Sequence, residues 1–264
     1  MDKKTTLGLI RDSQQILSTF YGDLAQPSVK KVGIALETTV EFCTSILLPV
    51  KYQSEKWKLN FQKKLNDYKD NLEKISEEKI IEVNPQIGAP ILEKLSYITN
   101  EEISIMFINL LTKASSIDTV NIAHPSFVQI IERLSVDEAK ILNNLDNKDF
   151  IPYVNFRLKQ NNLKGYIEIL GKGTLLQFEN DLLFPQNINT YIDNLISTGI
   201  LSDKDGTYKV DEQIYVPLLE KYDYEGMKSK FQSKFTEFKE LQISKSYFEI
   251  TSFGKSFLIA CSQK

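Results

Sequence analysis

The sequence predicts a mainly α chain, with an N-terminal helical hairpin or bundle followed by an α+β, winged-helix-like C-terminal domain. Three observations predict it. Glycine and proline supply 19 of 264 residues, about 7% against a usual ~12%, which suits long helices better than turn-dense sheets. Apolar residues recur at helical spacing through the first half. After Leu145 that spacing gives way to short alternating runs around polar turns. With 42% hydrophobic residues the chain can bury a core, so disorder is excluded as the main state.

From Thr5 to Leu24, the positions Leu7, Ile10, Leu17, Tyr21 and Leu24 form one apolar stripe. Pro27 opens a second helix, where its missing N–H costs nothing. Its stripe is Val32, Leu36, Val40, Cys43 and Leu47, and Pro49 ends it. A third helix, Ser54 to about Ile75, carries Trp57, Phe61, Leu65, Tyr68, Leu72 and Ile75. The last two stripes match, so residues 1–76 read as a helical hairpin region, with the two helices antiparallel.

The span from Val32 to Val50 is 19 residues long and nearly uncharged, which raises the question of a membrane. Its apolar residues gain roughly −4 kcal/mol in total, whereas a buried acid costs about +2.5 to +3.5 kcal/mol. Glu37 and Glu41 outweigh the gain, so a core helix is expected. A sheltered helix at 31–51 that inserts only on activation stays open, because Lys30, Lys31 and Lys51 flank it.

Residues 77–134 read as a connector and a central bundle. Glu77 to Pro90 holds two prolines and a glycine and is expected to be extended. Ile91, Leu92, Leu95 and Ile98 resume helical spacing. Thr99 and Glu102 have the spacing of a capping box that starts a helix with Ile103, Phe107, Leu110, Leu111 and Ala114 buried. A short helix follows His124-Pro125, with Phe127, Ile130, Ile131 and Leu134 apolar. Ser135 and Glu138 form a second capping box before Ala139, Ile141, Leu142 and Leu145.

Residues 135–264 read as a winged-helix-like domain with insertions. Short strands are expected at Ile151–Leu158 and Tyr166–Ile169, then a helix through Ile188, Tyr191, Ile192, Leu195 and Ile196, closed by Gly199. Asp203 to Gly206 makes a tight turn. Tyr247, Phe248 and Ile250 form a strand, and Thr251 caps a last helix ending near Cys261.

Composition narrows the chemistry. The balance of 32 cations and 35 acids leaves −3, and only Arg11, Arg133 and Arg157 are arginines. The forked donor that dominates phosphate and base-edge recognition is scarce. From Asn187 to Leu201, where a recognition helix would lie, there is no Lys or Arg. The exposed positions there, Asn189, Thr190, Asp193, Asn194 and Ser197, suit protein contacts better than a major groove.

Catalytic motifs are missing. His124 is the single histidine, and Cys43 and Cys261 lie far apart on apolar stripes, so no metal site or Cys-His nucleophile pair is expected. Gly171 to Thr174, GKGT, lacks the leading glycine of a phosphate-binding loop and reads as a turn. The cysteine usage and the lack of a leader pattern at the start suggest a reduced, cytoplasmic protein.

Two segments carry a resemblance: HPSFVQIIERLSVDEAKIL at His124–Leu142 and EEISIMFINLLTKA at Glu101–Ala114. Together they resemble the core of the Abi-alpha family, bacterial proteins grouped with abortive-infection phage resistance. The likeness extends to Leu24, Pro27 and Pro49 at the front, to Glu77, Ile80 and Pro85, to Gly199-Ile200-Leu201, and to Thr251-x-x-Gly254-x-x-Phe257. The signature residues are His124, Pro125, Phe127, Ser135, Asp137 and Glu138, whose types and positions read as helix caps and core.

The resemblance implies phage defence and brings no catalytic residues with it. The expectation is a non-enzymatic, cytoplasmic defence protein with no cofactor, acting through a protein partner, either a phage-derived trigger or a second copy. Membrane disruption through the 31–51 helix, with membrane contact only after activation, and nucleic-acid binding are the alternatives.

Overall fold

The structure, a computed structural model, describes residues 30–39, 55–145, 148–160, 165–234 and 238–262. It is mostly helical, with a C-terminal four-stranded antiparallel sheet. Contacts divide the chain into two compact units, residues 1–139 with 256–264 and residues 140–255. The expected helix at Thr5–Leu24 and the whole span from Val40 to Lys51 lie outside the described residues. Among the described residues no helix is long and apolar enough to cross a membrane.

The first unit is built on helices: α1 within 30–39, α2 (Glu55–Glu73), α3 (Pro85–Tyr97), α4 (Glu101–Ala114) and α5 (Ser126–Arg133). The stripe read from α2 is its buried face, with Phe61, Leu65, Tyr68 and Leu72 packed into a core shared with α3 and α4. Lys31 of α1 donates from Nζ to Ile75 O at 2.5 Å and Leu72 O at 3.4 Å. The start of α1 therefore neutralises the carbonyl end of α2, as an antiparallel pair requires.

Glu77 to Pro90 departs from the extended expectation. Residues Glu77–Lys79 form a single 3₁₀ turn, and helix begins at Pro85. Asn84 accepts from the Gln86 amide, Pro85 takes the first helical position, and Pro90 is carried inside the helix. Gly88 fits there because an added Cβ would lie 2.6 Å from Thr39 Oγ1 of α1.

The next cap is also displaced. Asn100, not Thr99, caps α4, its side-chain oxygen accepting from Ile103 N at 3.0 Å. Asn is at least as good a cap as Thr.

The second unit holds the sheet, in the order β2-β1-β4-β3, with β1 (Phe150–Gln160), β2 (Tyr166–Gly173), β3 (Leu201–Asp203) and β4 (Phe238–Ile250). One face of β1 buries Val154, Phe156 and Leu158 with Tyr215, Leu218 and Leu241. Helix α6 (Val136–Asn143) spans the division between the units. It is followed, after β2, by α7 (Leu176–Glu179) and α8 (Ile188–Ser197). Helices α9 (Val216–Lys221) and α10 (Tyr224–Lys234) lie before β4, and α11 (Ser252–Cys261) closes the chain.

Helix α8 ends as its glycine foretells. Gly199 has φ +78°, Ile200 N donates to Leu195 O and Gly199 N to Ile196 O, the paired bonds of a left-handed cap. Strand β4 extends to thirteen residues where only its last few were expected. The GKGT segment is not a free turn, because Gly171 to Gly173 complete β2.

Candidate functional site

The six signature residues sit at helix joints. His124 Nδ1 accepts from Ser126 N at 3.1 Å ahead of α5, Pro125 enters the first turn, and the Phe127 ring is buried against Phe257. Ser135 N donates to Glu138 Oε2 at 2.5 Å while Glu138 N donates to Ser135 Oγ at 3.2 Å, a reciprocal box. Asp137 and Glu138 are both buried at the start of α6, where acids favour the helix dipole. Cys261 is fully buried, and burial pushes its thiol well above the ordinary range, which suits packing and not nucleophilic attack.

A different set of residues forms a groove on the sheet unit. Successive side chains of a strand alternate between faces, so Tyr153, Asn155 and Arg157 of β1 oppose the core face of Val154 and Phe156. Instead of facing water, Tyr153 and Asn155 are buried. With Glu168 and Lys172 of β2, Asn189 and Asp193 of α8, Asp203 at the end of β3 and Asp205 just after it, they line a depression of about 220 Å³. A second depression of about 350 Å³ includes Leu170, Phe178, Pro185, Ile188 and Tyr222. Gly171, Lys172 and Asn189 belong to both, so one groove has a polar end and an apolar end.

The polar end is held by its own bonds. Tyr153 stacks on Phe248 with centroids 4.4 Å apart and donates its hydroxyl to Asp203 Oδ1 at 2.7 Å. Burial, reinforced by that acceptor, pushes the Tyr153 hydroxyl above its usual range, so it stays a donor. Lys172 has φ +52°, a left-handed backbone that a non-glycine residue adopts at a cost of about 1–2 kcal/mol. Asn155 Oδ1 supports the bend by accepting from Lys172 N at 2.7 Å.

The bend sets Lys172 Nζ 3.2 Å from Asp203 Oδ2 and 3.4 Å from Asp193 Oδ1. Burial works against that ammonium, but the bond to Asp203 and the charges of Asp203 and Asp193 outweigh it and raise its pKa. Arg157 lies over the Tyr166 ring at 4.6 Å and 3.7 Å from Glu168 Oε2, and its buried Nε has no hydrogen-bond acceptor. Four carboxylates thus face two cations.

Of this groove, only Asn189 and Asp193 on the α8 wall were legible in the sequence as contact residues. The alternating polar run Tyr153, Asn155, Arg157 was the available signal for the rest. Polar residues on the second covered face of such a strand must be hydrogen-bonded or paired to be buried.

A family model described as abortive infection alpha matches residues 57–261, more than half of the chain. The likenesses at Leu24, Pro27 and Pro49 fall ahead of that match. No curated protein matches the chain. Among solved structures, an uncharacterized protein from the hydrocarbon-degrading marine bacterium Alcanivorax borkumensis SK2 is similar at 15% identity. It covers 54% of this chain and 95% of its own, with a TM-score of 0.31.

Proposed function

The chain belongs to the abortive infection alpha family, and from that premise we propose that it is a phage-defence protein that works in the cytoplasm by binding a protein partner and not by turnover. The single observation that carries the protein-contact reading is the groove on the sheet unit, with one polar and one apolar end meeting at Lys172 and Asn189. Phe178 of its lining is 49% exposed, and Leu183 and Phe184, just ahead of Pro185 in the chain, are 61% and 55% exposed. Exposed apolar surface rimmed by polar groups is the usual mark of a protein interface.

The winged-helix-like part, α8 with β3 and β4, serves this contact and not DNA. The exposed side of α8 offers Asn189, Thr190, Asp193 and Ser197, with no cation to neutralise phosphate. The neighbouring Lys172 is already held by two aspartates.

Expression in a phage-sensitive host tests the proposal by plaque counts. Reduced plaquing by wild-type protein, lost in groove variants that fold normally, is the expected result. Unchanged plaquing across a broad phage panel would contradict it.

A further inference from the structure

We infer that the groove takes an extended protein segment that presents a lysine or arginine beside an apolar side chain, an inference that rests on the protein-contact reading above. The polar end carries an excess of acid. Asp205 is exposed, and among the described residues no cation lies within ion-pair distance of it. Lys172 already displays what this end accepts: its ammonium sits between Asp203 and Asp193, and 5.8 Å from the centre of the Phe248 ring. A basic side chain entering beside it would meet Asp205 on the open side. An acidic segment, a nucleic acid or an anionic lipid surface would meet like charge.

The main chain of such a segment also finds partners. Strand β2 is at the edge of the sheet, paired only with β1 among the described residues, so its outer N–H and C=O groups are open to an added strand. At the other end Phe178 and Pro185 offer an apolar side chain a wall and a floor.

The test is fluorescence anisotropy with the full chain and capped hexapeptides bearing a neutral fluorophore. One position is Lys, Gln or Glu and another is Leu or Ser, in every register. Lys/Leu peptides bind, Gln in place of Lys weakens binding about tenfold, and Glu abolishes it. Asp205→Lys, in an exposed turn, reverses the preference toward Glu peptides, and Asp193→Lys does the same if the first variant folds poorly. Phe178→Ala weakens the Leu peptides and narrows their lead over the Ser peptides, whatever the charged position. The inference is overturned if no peptide binds, if binding ignores peptide charge, or if both lysine variants keep the wild-type preference. Peptide binding as expected without phage protection would instead overturn the defence reading and leave the groove's chemistry standing.

Discussion

The ring of Phe127 meets the ring of Phe257 edge-on, with centroids 5.4 Å apart and planes at 87°. The two residues are 130 apart in the chain (257 − 127), yet each is the last position of a signature motif, His124-Pro125-Ser126-Phe127 and Thr251-x-x-Gly254-x-x-Phe257. The packing of α5 against the end of α11 runs through these two rings. Asn109 fixes the same helix end by donating from Nδ2 to Cys261 O and Ser262 O at 3.0 and 3.2 Å.

Truncating either ring leaves a cavity. Phe127→Ala and Phe257→Ala each lower unfolding free energy by about 3–5 kcal/mol. In a double-mutant cycle by urea denaturation the pair shows a coupling of about 0.5–1.5 kcal/mol. Strict additivity would mean that the edge-on contact contributes nothing beyond burial.

Gly254 and Gly206 predict opposite reasons for the same substitution. An added Cβ at Gly254 would lie 2.3 Å from Ile200 O, a backbone atom that a side-chain rotation cannot move. Thr251, which caps α11 by accepting from Gly254 N at 2.8 Å, also donates to Gly199 O at 2.6 Å, so this corner is tied twice. Gly254→Ala is expected to cost on the order of 2–4 kcal/mol. Gly206→Ala has open space and only the φ of +75° against it, a cost of about 1 kcal/mol. Thermal unfolding of the two variants ranks them.

Lys64 gives a pH dependence whose sign follows from its surroundings. Lys64 is 4% exposed and donates to Leu95 O at 3.0 Å and to Ile98 O, the carbonyl end of α3, with no carboxylate paired to it among the described residues. Burial lowers its pKa from 10.5 to about 8. The unfolded chain therefore holds this proton more firmly between those values. The penalty for keeping the ammonium is complete below about 8 and is relieved as pH rises toward 10.5. Urea midpoints of wild type minus Lys64→Met are expected to climb across that window, and a flat difference would sink the assignment.

Much of the first unit was legible from local pattern. Phe61, Leu65, Tyr68 and Leu72 are spaced as a helix face and are buried as one, and the Ser135–Glu138 box closes with both bonds. Two prolines around Gly88 concealed α3, because Asn84 and Pro85 turn an apparent breaker into a start. Strand β4 was only partly legible. It mixes Lys239, Glu240 and Lys245 with Leu241 and Ile243, and what makes it a strand is an eleven-residue antiparallel pairing with β1, distant in sequence.

The groove was hidden for a related reason. Tyr153, Asn155 and Arg157 look like the wet side of a strand until α8 and the turn at Asp203–Gly206, some forty residues later, cover them. Only the excess of polar residues flanked by core positions hinted that both faces of β1 are occupied.

Whether the groove makes the defence contact is read from the efficiency of plating on hosts that express, at matched levels, wild-type protein or Asp205→Lys. Wild type is expected to suppress plaques, and the single charge reversal in the groove to restore them to the level of cells without the protein. Full protection by Asp205→Lys would contradict the claim that this groove is where the defence contact is made.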